Sequence, residues 1–520
     1  MKHMKMSILG LGVLFSTMTL QAVDATSGKK VIDSKCVTCH SGNTDTGLSR
    51  IRDQRKTPEG WFMTIERMKR HGLAISNDEQ RDVIKYLSDN NGLAPSEIKP
   101  YRYVLDQTPN VQEKNLNPKL EEMCVRCHSQ ARIGLQRRTA DEWNKLVNFH
   151  VGQFTSLEIQ YLSRDRDWFG IATKETAPYL RKLFAKDTRE WSEWKKIAPT
   201  VSIAGKWSIL GHTAGKGDFT GEINLDKNSD DSYSLSMDGS YAQGQSFHSR
   251  GSAVLYTGSE YRGTLMIGET EMRQVLHYDH KTKTMTGRMY PAEHPEIGST
   301  LSVLKASDAQ TILGVTPSAI KMGQSGQLKI VGSSLNGDIK LSKLLVLNKI
   351  ISKTANEIVL DVTALKGTKA SVQDVCVGKA IGKVALYNTV SKIAVTPDYG
   401  VARVGGGKVT KQLAIFEAKG YAKGSKGLID LGVVQNVTWS IDNYDEKAKE
   451  DKDLEFAGTI DSQSGLFTPA EAGPNKKRKW STNNAGKLAV IATRVEGKKN
   501  LKSKAELIVT VQKFVNPPIQ

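Results

Sequence analysis

The chain has 520 residues, with 73 Lys and Arg against 55 Asp and Glu for a formal net charge of +18. At roughly 100–200 residues per domain, this length asks for several domains. Four of its five cysteines fall in two Cys-x-x-Cys-His runs, which excludes a general disulfide framework, and its lysines are not interleaved with aromatics, which argues against nucleic acid as a partner.

Residues 1–25 read as a targeting segment. Lysines lead, an apolar run extends from Ile8 to Leu20, and small residues stand at Ala22 and Ala25. The run is short for a bilayer span, and no other segment is long and apolar enough to cross one. The expectation is export, with the mature chain starting near Val23 or Thr26.

The run "SKCVTCHSG" at 34–42 returns as "EMCVRCHSQ" at 122–130. Two thiols at this spacing reach two vinyl groups on one porphyrin edge, and the adjacent imidazole then falls beneath the iron. Cys36 and Cys39 are predicted to hold one covalently bound c-type haem, with His40 on its iron. Cys124 and Cys127 are predicted to hold a second, with His128. A thioredoxin-like redox pair wants a βαβ context that is absent, and a zinc site fits two exported CxxCH runs poorly.

After each run comes a repeated segment, "TPEGWFMTIERM" at 57–68 and "TADEWNKLVNFH" at 139–150. Thr57 reads as a helix N-cap with Pro58 at the first helical position, and Thr139 with Glu142 reads as a capping box. Trp61, Ile65 and Met68 share one helix face, as do Trp143, Val147 and His150. Met68 and His150 close these stripes and are the candidate sixth ligands. His71 is the alternative to Met68, and Met63 faces elsewhere. A His/Met iron and a His/His iron would differ in potential. Each unit closes on a further helix, opened by Ser76 and Glu79 in the first and by Thr155 and Glu158 in the second. Residues 26–198 therefore read as two tandem units, about 26–100 and 101–198, each with the helix order of a small cytochrome c.

Helical periodicity stops there. Residues 199–309 carry seven or eight short alternating runs split by turn residues, the pattern of an antiparallel β-barrel domain. His212, His248, His277, His280 and His294 are scattered through it and read as surface or structural side chains. Residues 310–400 and 401–520 each read as an immunoglobulin-like β-sandwich. Cys376, in "VQDVCVGKA", reads as a buried, inert thiol. Lys476, Lys477, Arg478 and Lys479 form the densest basic run and read as a solvated face. The overall charge suits an acidic partner. The fold class is thus multidomain α plus all-β, and neither sandwich shows a catalytic constellation.

This order resembles the alpha, dihaem cytochrome c subunit of quinohemoprotein amine dehydrogenase. The resemblance covers nearly the whole mature chain. It rests on the two CxxCH units, "RKTPEGW" at 55–61, "RMKRHG" at 67–72, "LQRRTADEWNKLVNFHVGQF" from 135 and "RDRDWFGIA" ending at 172. It implies a periplasmic heterotrimer with a β-propeller subunit and a small subunit carrying cysteine tryptophylquinone, where primary amines are oxidised. It further implies electron transfer through the haems to a small copper protein or cytochrome c, making the chain a subunit of an oxidoreductase. Two other readings stay open on the residues alone. One is a free-standing dihaem electron carrier or dihaem peroxidase, and the other is a cell-surface binding protein.

Overall fold

The computed structural model describes residues 23–512, apart from 115, 155, 156, 158–164 and 230. Most of the predicted targeting segment and of the helix predicted from Thr155 and Glu158 lies outside these residues. Helices occupy the N-terminal part, and strands dominate from residue 205 onward. Among the described residues no helix is long and apolar enough to cross a membrane.

Three long helices build the first unit: α1 (Ala25–Lys35), α2 (Pro58–Arg70) and α3 (Asn77–Asn90). Thr57 caps α2 by accepting from the Gly60 N–H, and Pro58 occupies the position where an N–H would have no partner. Ser76 and Glu79 form a complete capping box on α3. Val31 and Ile32 of α1, Trp61 and Ile65 of α2, and Val83 and Leu87 of α3 meet in one cluster.

The second unit repeats this plan around α4 (Ala140–Gln153). Here the expected capping box is half formed. Thr139 accepts from the Glu142 N–H, but the Glu142 carboxylate turns instead to Arg50 and Arg138. Charge pairing with two guanidiniums outcompetes the reciprocal hydrogen bond to the Thr139 N–H, which donates to the Asp53 carbonyl.

The two units join through a short antiparallel ladder, β1 (Gln54–Lys56) with β2 (Gln136–Arg138), centred on the Arg55–Arg137 pair. Each strand leads directly into the N-cap of its unit's long helix. The environments match closely. The Asn91 carbonyl accepts from Lys56 N and from Trp61 Nε1, while the Phe184 carbonyl accepts from Arg138 N and Trp143 Nε1. Beneath the ladder, buried Glu97 receives both Arg55 and Arg137.

The next eight strands run from β3 (Gly205–Thr213) to β10 (Ser299–Lys305) and close into a barrel. Closure leaves no edge. Trp207, Phe219, Tyr233, Met237, Leu255 and Met285 fill the interior with others of one cluster, so this is a packed core. Farther on, two four-stranded sheets face each other across Leu328, Ile330, Leu360, Val375 and Val384. Residues 392–510 form three further sheets around Phe416, Trp439, Phe467 and Leu507. Cys376 is half-buried on its strand, not buried as expected, because its side chain lies on the face away from buried Val375 and Val377.

The helical part is fastened to the barrel by ionic contacts. Glu260, wholly buried, pairs with Arg102 at 2.5 Å and with Arg262 at 3.0 Å. Arg262 also reaches Glu59 at 2.6 Å, at the start of α2. Lys85 of α3 meets Asp231 at 2.9 Å.

Candidate haem-binding site

The second CxxCH run lies against a cavity of about 420 Å³. Met123, Cys124, Cys127 and His128 line it, and from α4 so do Trp143, Val147 and His150. The stripe inferred from helical spacing therefore faces this space, and the structure brings the four predicted residues of the second site to one cavity. Ala172 and Leu180 add to its apolar wall. Trp143 is 1% exposed and fixes the helix position by its indole hydrogen bond to Phe184.

Both histidines are held in the tautomer a metal needs. His128 Nδ1 faces the Ser129 carbonyl at 3.0 Å, and His150 Nδ1 faces the Leu146 carbonyl at 2.7 Å. A carbonyl only accepts, so each Nδ1 carries the proton and each Nε2 keeps its lone pair. Burial lowers the pKa of both rings, which keeps them neutral. His40 in the first unit shows the same arrangement, with Nδ1 2.9 Å from the Ser49 carbonyl.

The cysteines also speak against a thiol-exchange pair. Burial pushes the Cys36 thiol up to about 11, helped by Asp33 and Cys39, and pushes Cys124 up to about 11, helped by Cys127. A dithiol built for exchange lowers such values instead. Cys39 and Cys127 are exposed, Cys36 and Cys124 are half-buried, and none of the four forms a disulfide.

Cys36, Cys39, His40 and Met68 do not line the cavity of the second unit. Cys36 packs at the margin of the first unit's apolar cluster, the one that buries Trp61 and Ile65. Met68 is half-buried, whereas His71 is exposed where α2 ends. The residues present thus offer each predicted haem two thiols and a tautomer-fixed imidazole, and the second unit also offers a space to receive one.

A different face of α2 was not anticipated as functional. Gly60, Met63, Thr64 and Arg67 follow helical spacing and line the second unit's cavity, joined by Lys56 from β1. The first unit therefore walls the second site. Its signal in the sequence was the tetrapeptide "QRKT" at 54–57 repeated as "QRRT" at 136–139, which extends the repeat upstream of the N-cap. The barrel histidines are engaged elsewhere. His277 faces Glu260 at 3.4 Å, and the His280 ring lies 5.3 Å from that of Trp194.

Sequence models of one family match most of the chain. "Quinohemoprotein amine dehydrogenase A, alpha subunit, haem binding" matches residues 26–191. Alpha subunit domains II, III and IV of quinohemoprotein amine dehydrogenase match residues 200–306, 309–388 and 393–519. No curated protein matches. Among solved structures, a redesigned β-barrel, mFAP1, bound to DFHBI is 18% identical, with a TM-score of 0.18, 20% of this chain covered and 94% of that one. The Bacteroides ovatus mixed-linkage glucan utilization locus protein SGBP-B is 9% identical, with a TM-score of 0.20, 59% of this chain covered and 60% of that one.

Proposed function

Because this chain belongs to the alpha-subunit family of quinohemoprotein amine dehydrogenases, with a haem-binding domain at residues 26–191, we propose that it is the electron-transfer subunit of such an enzyme, carrying two c-type haems. Cys36 and Cys39 would hold the first by thioethers, with His40 and Met68 as the ligands to its iron. Cys124 and Cys127 would hold the second, with His128 and His150 as the ligands to its iron. Bound haem supplies one-electron exchange between a cysteine tryptophylquinone on a small partner subunit and a periplasmic copper protein or cytochrome c.

The chain's own residues prepare these sites. Ser49, Ser129 and Leu146 fix three imidazoles by their carbonyls, so that each Nε2 meets iron without a competing proton. Trp143, Val147, Ala172 and Leu180 exclude water from the second site. Residues 1–25 direct export to the periplasm. The barrel and two immunoglobulin-like sandwiches, 199–309, 310–400 and 401–520, act as scaffold for the quinone-bearing and β-propeller subunits.

The gathering of Cys124, Cys127, His128 and His150 around one cavity carries this reading. Its test is export from a host with a working cytochrome maturation system, followed by mass spectrometry and haem staining. Two haems per chain are expected, with one lost in Cys36→Ala/Cys39→Ala and the other in Cys124→Ala/Cys127→Ala. A bare polypeptide with four free thiols overturns the reading. Co-purification with a small quinone-bearing chain, and amine-dependent haem reduction, test the enzyme assignment. A monomer with neither returns the chain to the free-standing carriers.

A further inference from the structure

The cavity of the second unit is apolar over most of its wall, yet four cations stand on it: Lys56, Arg67, Arg132 and Arg138. Among the described residues only Arg138 has a carboxylate within reach, Glu142 at 3.5 Å, and that carboxylate is shared with Arg50 and Lys145. Lys56 is 5% exposed and donates to the Thr64 hydroxyl at 2.6 Å, a neutral partner. Arg67 lies over the Phe149 ring at 4.3 Å, crossing from the first unit to the second. No described carboxylate forms an ion pair with Lys56, Arg67 or Arg132. Lys56 is buried, and burial, with Arg138 and Arg67 nearby, pushes its pKa well down, while Arg67 and Arg132 are half-buried; an anion placed among the three would restore the charge on Lys56 and pair all of them.

Resting on the reading above, we propose that Lys56 and Arg67 of the first unit, with Arg132 and Arg138 of the second, clamp the two propionate carboxylates of the haem held by Cys124 and Cys127. A porphyrin joined to thioethers at its vinyl positions still carries two ionised propionates, and planar guanidiniums suit carboxylates in forked geometry. Arg67 precedes Met68 in the chain, so one helix supplies a ligand to the first haem and a charge to the second. Lys56, Arg67, Arg132 and Arg138 are positioning residues. They orient the macrocycle, and their charge favours the ferrous state, which carries one positive charge fewer than the ferric.

The test is redox titration of the holoprotein by visible and electron paramagnetic resonance spectroscopy. Lys56→Met and Arg67→Gln are expected to keep two covalent haems and the low-spin signature of the second. They are expected to shift the partition of one electron between the haems about tenfold toward the first, equivalent to about 59 mV for a one-electron couple. The second haem's potential is also expected to become pH-dependent as its propionates lose their clamp. Arg67→Lys, which keeps the charge, is expected to restore most of the shift. Lys69→Gln is the control on the same helix, since Lys69 pairs with Glu66 away from the cavity. Unchanged potentials in Lys56→Met and Arg67→Gln, or equal losses in Arg67→Lys and Arg67→Gln, overturn the clamp. Absence of covalent haem from the unmutated chain overturns instead the reading on which it rests.

Discussion

His40, His128 and His150 each spend Nδ1 on a backbone carbonyl, and this decides what the other nitrogen can do. The choice between Met68 and His71 belongs to the same scale. Met68 continues the buried stripe of Trp61 and Ile65, while His71 is exposed beyond the last turn. Met68→Ala is therefore expected to lower the first haem's potential and abolish any methionine-to-iron absorption band, with two haems still attached. His71→Ala is expected to leave the visible spectrum unchanged, and the reverse pattern exchanges the two assignments. In the second unit, His150→Ala is expected to turn one haem from low spin to high spin without loss of covalent haem. Arg478 shows why charge runs mislead at this scale. Its side chain is fully buried and pairs with Asp451 at 2.8 Å and with Asp453, so the densest basic run is in part an internal clamp.

At the scale of elements, the ladder β1–β2 is too short to hold two units by its backbone alone. Glu97 supplies what it lacks, receiving Arg55 at 2.8 Å and Arg137 at 3.1 Å in a buried site. Removing the shared carboxylate strands two guanidiniums, so Glu97→Ala is expected to cost about 3–5 kcal/mol, read as a lower urea midpoint with the barrel transition retained. Thr57→Ala removes only an N-cap and is expected to cost about 1 kcal/mol. The caps at Thr57 and Ser76 and the helices they open were legible because their signals are local: Thr-Pro, Ser-x-x-Glu and the Trp stripe lie within one turn or two. The barrel was legible from alternation of the kind Ser232–Tyr241 shows, where Tyr233, Leu235 and Met237 are buried and Ser234 and Asp238 are exposed. What stayed hidden depends on contacts distant in sequence. Glu142 looked like a capping residue until Arg50 arrived from the other unit. The face of Gly60, Met63, Thr64 and Arg67 carries no apolar stripe, because its partner is a cavity edged with charge.

Across the whole molecule, ionic contacts help join the parts, and one of them is a pH-dependent fastener. His212 of β3 sits between Asp218 on the barrel, at 2.6 Å, and Glu417 in the last set of sheets, at 3.0 Å. Asp218 also accepts from Thr316 at 2.7 Å, which ties in the intervening sheets. Burial works against the imidazolium, but the hydrogen bonds it donates to Asp218 and Glu417 outweigh it and raise the pKa to about 10. The unfolded value is about 6.5. Between these limits the folded chain holds a proton that the unfolded chain has lost, so stability falls as pH rises. The contribution is full below about pH 6.5 and is lost progressively up to about pH 10. Calorimetry of the β region is expected to show a midpoint that declines over this window. In His212→Gln, which offers a neutral donor, the midpoint is expected to be lower at pH 6 and much flatter toward alkaline pH. A variant curve parallel to that of the unmutated protein would show that His212 does not carry the charge that joins the barrel to Glu417.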